Sequence, residues 1–246
     1  MVLNETGFKG KIVAITGAGS GIGKSMALAM GSEGADVFLI GRNAAALESV
    51  RAALGPNSAR SNICVTDLAL ERDILRARDC LEQELGYPDV LIHSAGLFLS
   101  GSFEESRVQD FDTMYRVNVR APYLLTKALL PMLRERKGDV IFMNSTAGMA
   151  AGRNLSQYCA CKYALRAMAD SLRQEVNEHG VRVVSVYPGR TATPMQENIH
   201  RLEGRAYEPR KLMQPEDVAA VVMNALLLPR SAEVTDIHLR PLAKAV

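Results

Sequence analysis

The sequence has no block of like charge. Its 29 basic and 27 acidic side chains in 246 residues leave a formal net charge of +2, which argues against a nucleic-acid or anionic-membrane surface as its main partner. It also lacks any apolar run approaching the ~18 residues of a membrane span. Residues 1–11 carry charge and glycine where a signal peptide needs an apolar core. Cysteine is scarce: Cys64, Cys80, Cys159 and Cys161 have no zinc-ligand spacing, and the last two are too close for an ordinary bridge. Reduced thiols in a cytoplasmic protein without metal are therefore expected. Repeats, low-complexity segments and composition shifts are missing as well, leaving a single domain over residues 1–246 as the expectation. What the chain does have is 48% apolar residues, enough to bury a substantial core.

Short β-branched or apolar runs alternate with longer helical patterns, the signature of βαβ units and a parallel sheet. Strands are expected at 11–16, 36–40, 59–64, 90–93, 139–144, 181–187 and 234–240. Helices are expected at 22–33, 44–54, 71–85, 104–136, 155–178 and 215–227. The connection over 189–214 has no clear period and reads as a loop or lid.

The first strand runs directly into Gly17-Ala-Gly19-Ser20-Gly21-Ile22-Gly23 and then a helix. Glycines in that place let the backbone approach a pyrophosphate seated on the N–H groups of the helix start. Glycine at the first, third and sixth positions does not fit, whereas Thr16-Gly17-x-x-x-Gly21-x-Gly23 does. A purely structural tight turn is the alternative.

Tyr158 and Lys162 lie four residues apart and so project from one helical face. A phenol with an ordinary pKa of ~10 is a poor acid or base at neutral pH, and a nearby ammonium is expected to lower it. Tyr158 can then give a proton to a carbonyl oxygen or accept one from an alcohol. Simple packing of the ring on the lysine stem is the competing explanation. Ser145 closes the apolar strand Val140–Met143, at the carboxyl end where open α/β sheets place ligands, and there it can hydrogen-bond a reacting oxygen or cap a turn. Asn118 sits inside an apolar helical pattern that disfavours asparagine, implying either a buried backbone or water contact or a proton-relay role.

With these residues in view, the chain resembles the short-chain dehydrogenase/reductase family. The strings Thr16-Gly17-x-x-x-Gly21-x-Gly23, His93-Ser94-Ala95-Gly96, Asn118, Ser145, Tyr158-x-x-x-Lys162 and Pro188-Gly189-x-Thr191-x-Thr193 stand in that family's order and spacing. The likeness covers residues 11–193, with weaker agreement to 240. It implies a doubly wound Rossmann-type α/β fold, a seven-stranded parallel sheet with helices on both faces. It also implies hydride transfer between a nicotinamide and a carbonyl or alcohol carbon of a small substrate. By the same resemblance Tyr158 is the acid/base, and Lys162 tunes it and holds the nicotinamide ribose. Ser145 orients the substrate oxygen and Asn118 supports a water-linked relay. Asp67 and Leu68 fall on the adenine side, where a helix cap is the alternative for Asp67. Ser94, Ala95 and Gly96 flank the cofactor, and Pro188, Gly189, Thr191 and Thr193 embrace its nicotinamide end. His93 replaces the family's usual asparagine and is read as a satisfied, buried imidazole. Residues 95–100, 149–153 and 189–214 are expected to line the substrate pocket, with Leu97, Phe98, Leu99 and Met149 as an apolar wall. Arg190, Arg201, Arg205 and Arg210 are read as loop arginines. The competing function is a dinucleotide-binding regulator without turnover, which has no need of Ser145, Tyr158 and Lys162 together.

At the carboxyl end of the second strand, an NAD-selective site places a carboxylate on the ribose 2′-hydroxyl. Here Gly41 stands in that place, followed by Arg42 and Asn43. A guanidinium matches a 2′-phosphate by charge and by paired donors, so the expected cofactor is NADP. A stripe of Ala160, Ala164, Ala167 and Ser171 and a helix that is apolar on too many sides for a monomer surface, through Tyr123, Leu124, Leu125, Ala128, Leu129, Leu130, Met132 and Leu133, point to a homodimer or homotetramer.

Overall fold

The computed structural model describes residues 7–58 and 60–242. Strands and helices alternate through the first half of the chain: β1 Ile12–Thr16, α1 Gly21–Ser32, β2 Asp36–Gly41, α2 Ala44–Ala53, β3 Asn62–Val65, α3 Glu71–Glu84 and β4 Val90–His93. Then come α4 Val108–Tyr115, a π-helical turn Arg116–Arg120, α5 Ala121–Arg136, β5 Asp139–Met143, α6 Ser156–Val176 and β6 Arg182–Pro188. The chain closes with α7 Pro194–Leu202, α8 Pro215–Leu226 and β7 Asp236–Leu239.

The seven strands form one parallel sheet in the order β3-β2-β1-β4-β5-β6-β7. Helices cover both faces, which is why the inner strands read as near-continuous apolar runs. Alternate residues of β1 divide between two cores. Val13 and Ile15 join Met26, Met30, Leu47 and Val222 beneath α1, α2 and α8. Ala14 joins Ile74, Leu81, Leu125, Leu129 and Leu165 beneath α3, α5 and α6. Each fully buried valine, leucine, isoleucine or methionine among them contributes about 1.5–3 kcal/mol. The strand order reverses between β1 and β4, opening a crevice at the carboxyl ends of the strands, where open α/β sheets bind their ligands.

Three expectations need correction. The helix expected over 104–136 starts only at Val108 and is broken by the π turn at Arg116–Arg120. Pro122 has no N–H to return to the Asn118 carbonyl four residues back, and the Ala121 N–H reaches Arg116 O, five residues back. The segment 189–214 is not a plain loop, because Thr193 caps α7 through the Gln196 N–H and Pro194 opens the helix. The third strand begins at Asn62 rather than 59; residue 59, like 1–6 and 243–246 at the ends of the expected domain, lies outside the described residues. Among the described residues no helix is long and apolar enough to cross a membrane, and no three His, Cys, Asp or Glu cluster as metal ligands.

Candidate active site

A cleft of about 700 Å³ opens along the crevice. Gly19, Ser20, Gly21 and Ile22 line its floor, together with Gly17. Gly17 has φ +69°, and a Cβ there would lie 2.8 Å from the Ala95 backbone; a Cβ on Gly23 would lie 2.4 Å from Gly17 O. These two glycines serve close packing of turn, helix and β4, and Gly23 does not line the cleft. Ser20, the N-cap residue of α1, makes no side-chain cap bond, and the first turn of α1 carries no acidic residue. Its leading N–H groups are thus suited to an anion. Thr16, quoted in the sequence motif but given no role there, ties the two halves of the crevice together. Its Oγ1 accepts from the N–H groups of Ser94 and Ala95, each at 3.1 Å.

At the end of β2, Gly41 brings no carboxylate to the cleft wall, and the exposed Arg42 follows it there. Asn43 caps α2 by accepting from Ala46 N at 3.0 Å. Asp67 and Leu68 line the far end, and Asp67 Oδ1 accepts from Ala69 N at 3.0 Å, so its carboxylate shapes a turn beside the cleft. Open helix amides, a glycine floor and a free guanidinium fit a nicotinamide dinucleotide.

The other end carries Ser145, Tyr158 and Lys162, all on the cleft wall. Ser145 follows β5 and caps the short turn Thr146–Gly148, its Oγ accepting from Ala147 N at 3.1 Å. The same hydroxyl is close enough to Tyr158 to favour its ionised form against the effect of burial. Tyr158 is buried on α6, with the Phe98 ring edge-on at 4.9 Å between centroids. Lys162, one turn on, is also buried; its Nζ donates to Met143 O at 2.9 Å and lies 5.7 Å from the Tyr158 ring centre. The expected lowering of Tyr158 by Lys162 is not what this arrangement gives. Burial dominates and pushes the phenol up to about 12, with Ser145 opposing it. Burial likewise pulls Lys162 down to about 8. Removing both groups from water disfavours both charged forms, and the ammonium is directed at a carbonyl rather than at the hydroxyl. Tyr158 is therefore protonated at neutral pH and its hydroxyl is able to donate a proton.

Asn118 does not line the cleft. Buried in the π turn, it holds the Leu97 backbone from both sides: Oδ1 accepts from Leu97 N and Nδ2 donates to Leu97 O, each at 2.8 Å. It thereby fixes the strand exit that carries Leu97 and Phe98 into the cleft. Asn144 went unnoticed in the sequence although it does comparable work. Its Oδ1 accepts from Ser145 N at 2.9 Å and its Nδ2 donates to Lys162 O at 3.1 Å, linking the two functional segments. A polar residue ending an apolar strand was its only signal. His93 pairs with Thr126 (Nε2 to Oγ1, 2.7 Å), stacks on Phe142, and is pushed by burial down to about 3.

Pro188, Gly189, Thr191 and Thr193 line the same cleft, with Thr191 forming a short parallel bridge to Met213. Ser94, Ala95 and Gly96 face them, and Leu97, Phe98, Leu155, Met195 and Ile199 supply an apolar wall. Leu99 and Met149 are not part of that wall. Met149 turns to the sheet edge, its sulfur 3.0 Å from His238 Nδ1.

The family model for short chain dehydrogenases matches residues 11–204. An uncharacterised oxidoreductase of Staphylococcus aureus (strain MRSA252) is 33% identical over 234 residues, spanning 94% of this chain and 97% of that protein. Among solved structures, a metagenomic short-chain oxidoreductase in complex with NADP superposes with a TM-score of 0.82 at 27% identity, covering 97% of this chain and all of that one. The 3-ketoacyl-(acyl-carrier-protein) reductase of Brucella melitensis, complexed with NADH, gives 0.83 at 26% identity, over 94% and 97%. This chain belongs to the short-chain dehydrogenase family. It is an oxidoreductase that works with a nicotinamide cofactor on a small molecule.

Proposed function

We propose that the protein is an NADP(H)-dependent carbonyl reductase or alcohol dehydrogenase acting through Ser145, Tyr158, Lys162 and Asn118. The observation that carries this reading is the convergence of Ser145, Tyr158 and Lys162 on one cleft with the glycine turn. When bound, the nicotinamide supplies or receives the hydride. The protein's part is to hold the substrate oxygen between Ser145 and Tyr158 and to deliver the Tyr158 proton to it as negative charge develops. Lys162, held by Met143 O, places a cation beside that phenol and would be the residue to hold the ribose of a bound nicotinamide. Asn118 keeps Leu97 in place and supports proton return through water. The choice of NADP over NAD is carried by Gly41 and Arg42.

In the same reading the chain works as one Rossmann-type unit, with α7 and its flanks forming the substrate side. The four cysteines are unpaired, which suits a reducing cytoplasm. The exposed Ala160, Ala167 and Ser171 on α6 and the half-exposed Tyr123 on α5 suit a homodimer or homotetramer.

The test is Tyr158→Phe, assayed by the fall in NADPH absorbance with a panel of ketones and aldehydes. Turnover should vanish while NADPH still binds. Activity within tenfold of the unmodified protein refutes the role given to Tyr158.

A further inference from the structure

We propose that Arg190 recognises an anionic group of the substrate, so that the preferred carbonyl compounds carry a carboxylate as well as the reacting carbonyl. The inference rests on the carbonyl-reductase reading and adds the class of compound the site takes.

Of the four arginines in 190–210, Arg190 alone lines the cleft, next to Gly189 at the nicotinamide end. Arg201 is exposed and donates to Asn198 on its own helix, Arg205 is exposed and pairs with Glu203, and Arg210 is exposed. Arg190 uses one edge of its guanidinium: Nη2 donates to both carboxylate oxygens of Glu203 at 3.0 Å. Its Nη1 is buried and has no hydrogen-bond partner. A cationic donor withdrawn from water without an acceptor carries a penalty that a native structure seldom leaves uncompensated. The acceptor it lacks has to come from what fills the cleft.

Charge selects the kind of acceptor. Glu203 is shared between Arg190 and Arg205, so its carboxylate is not given to Arg190 alone, and the unpartnered Nη1 belongs to a permanent cation. Asp67 is the other carboxylate on the cleft wall, at the adenine end. Leu97, Phe98, Met195 and Ile199 give the same cleft an apolar stretch of wall beside the polar Thr191, Thr193 and Gln196. A compound with an apolar body and a carboxylate satisfies both, because an apolar wall strengthens a charge-assisted pair at its edge. The planar fork of arginine also suits bridging two carboxylates, one on each edge.

The test uses benzoylformate, 3-benzoylpropionate and 4-benzoylbutyrate against their methyl esters, with NADPH. At least one acid should exceed its ester in kcat/KM by roughly ten- to hundredfold, chiefly through KM. In Arg190→Met that ratio should collapse toward one, and Arg190→Lys should keep part of it. In parallel, the rise in melting temperature produced by each acid and ester is read on the NADP+-saturated protein, which needs no turnover. Acid-to-ester ratios near one throughout the series, or a ratio untouched by Arg190→Met, overturn the proposal. So does a loss of NADPH affinity in Arg190→Met with the ratio unchanged, since the donor would then serve a cofactor phosphate. If no compound turns over but the acids stabilise the protein through Arg190, the anion site stands and the reductase reading falls.

Discussion

His93 offers a sharp test of the buried architecture because its protonation state is tied to folding. The imidazole is buried between Thr126 and Phe142, and burial pushes it from the ordinary 6.5 down to about 3. In the unfolded chain it titrates near its usual value, so below that pH the unfolded state binds a proton that the folded state refuses. Its stabilising contribution is complete above about pH 6.5 and is lost progressively as pH falls toward 3. At pH 5 the unfolded imidazole is ~1.5 units below its pKa and the folded one still neutral, which at ~1.36 kcal/mol per unit amounts to a loss of about 2 kcal/mol. His93→Asn removes the titrating group; whatever it costs through the lost Thr126 bond and Phe142 stacking is independent of pH. Urea unfolding of both proteins at pH 8 and pH 5 isolates the effect, because every other group titrates alike in the two. The unmodified protein should lose about 2 kcal/mol more than the variant between those pH values. An equal loss in both would show that His93 becomes charged in the folded state, and the reasoning from burial would fail.

Cofactor choice should follow the end of β2: Arg42→Ala should weaken NADPH far more than NADH, and Gly41→Asp should turn preference toward NADH. Equal kcat/KM for the two cofactors in the unmodified protein would refute that reading. With the Tyr158 phenol pushed up to about 12, the base needed for alcohol oxidation is scarce at neutral pH. Initial rates of oxidation at saturating cofactor should therefore rise with pH from 7 to 10 while carbonyl reduction does not, and an oxidation rate flat over that range would contradict it.

The periodicities of the sequence determined the parallel sheet, because apolar strands buried on both faces and amphipathic helices write their environment into residue order. They placed six helices and seven strands, and the spacing of Tyr158 and Lys162 already put both side chains on one face of α6. Local geometry was legible where one residue decides it, as with the glycines at the start of α1. The π turn was half written in Pro122, whose missing N–H disturbs the ladder, but the pairing of Asn118 with Leu97 joins segments 21 residues apart. Only tertiary structure decided the direction of the Tyr158 pKa. Spacing set the ammonium near the phenol, whereas the sign came from how completely both are removed from water and from the Met143 carbonyl that takes the lysine. Tertiary structure likewise separated Arg190 from its neighbours, since four arginines that look alike in a polar stretch differ only in which one the folding of α7 turns onto the cleft wall.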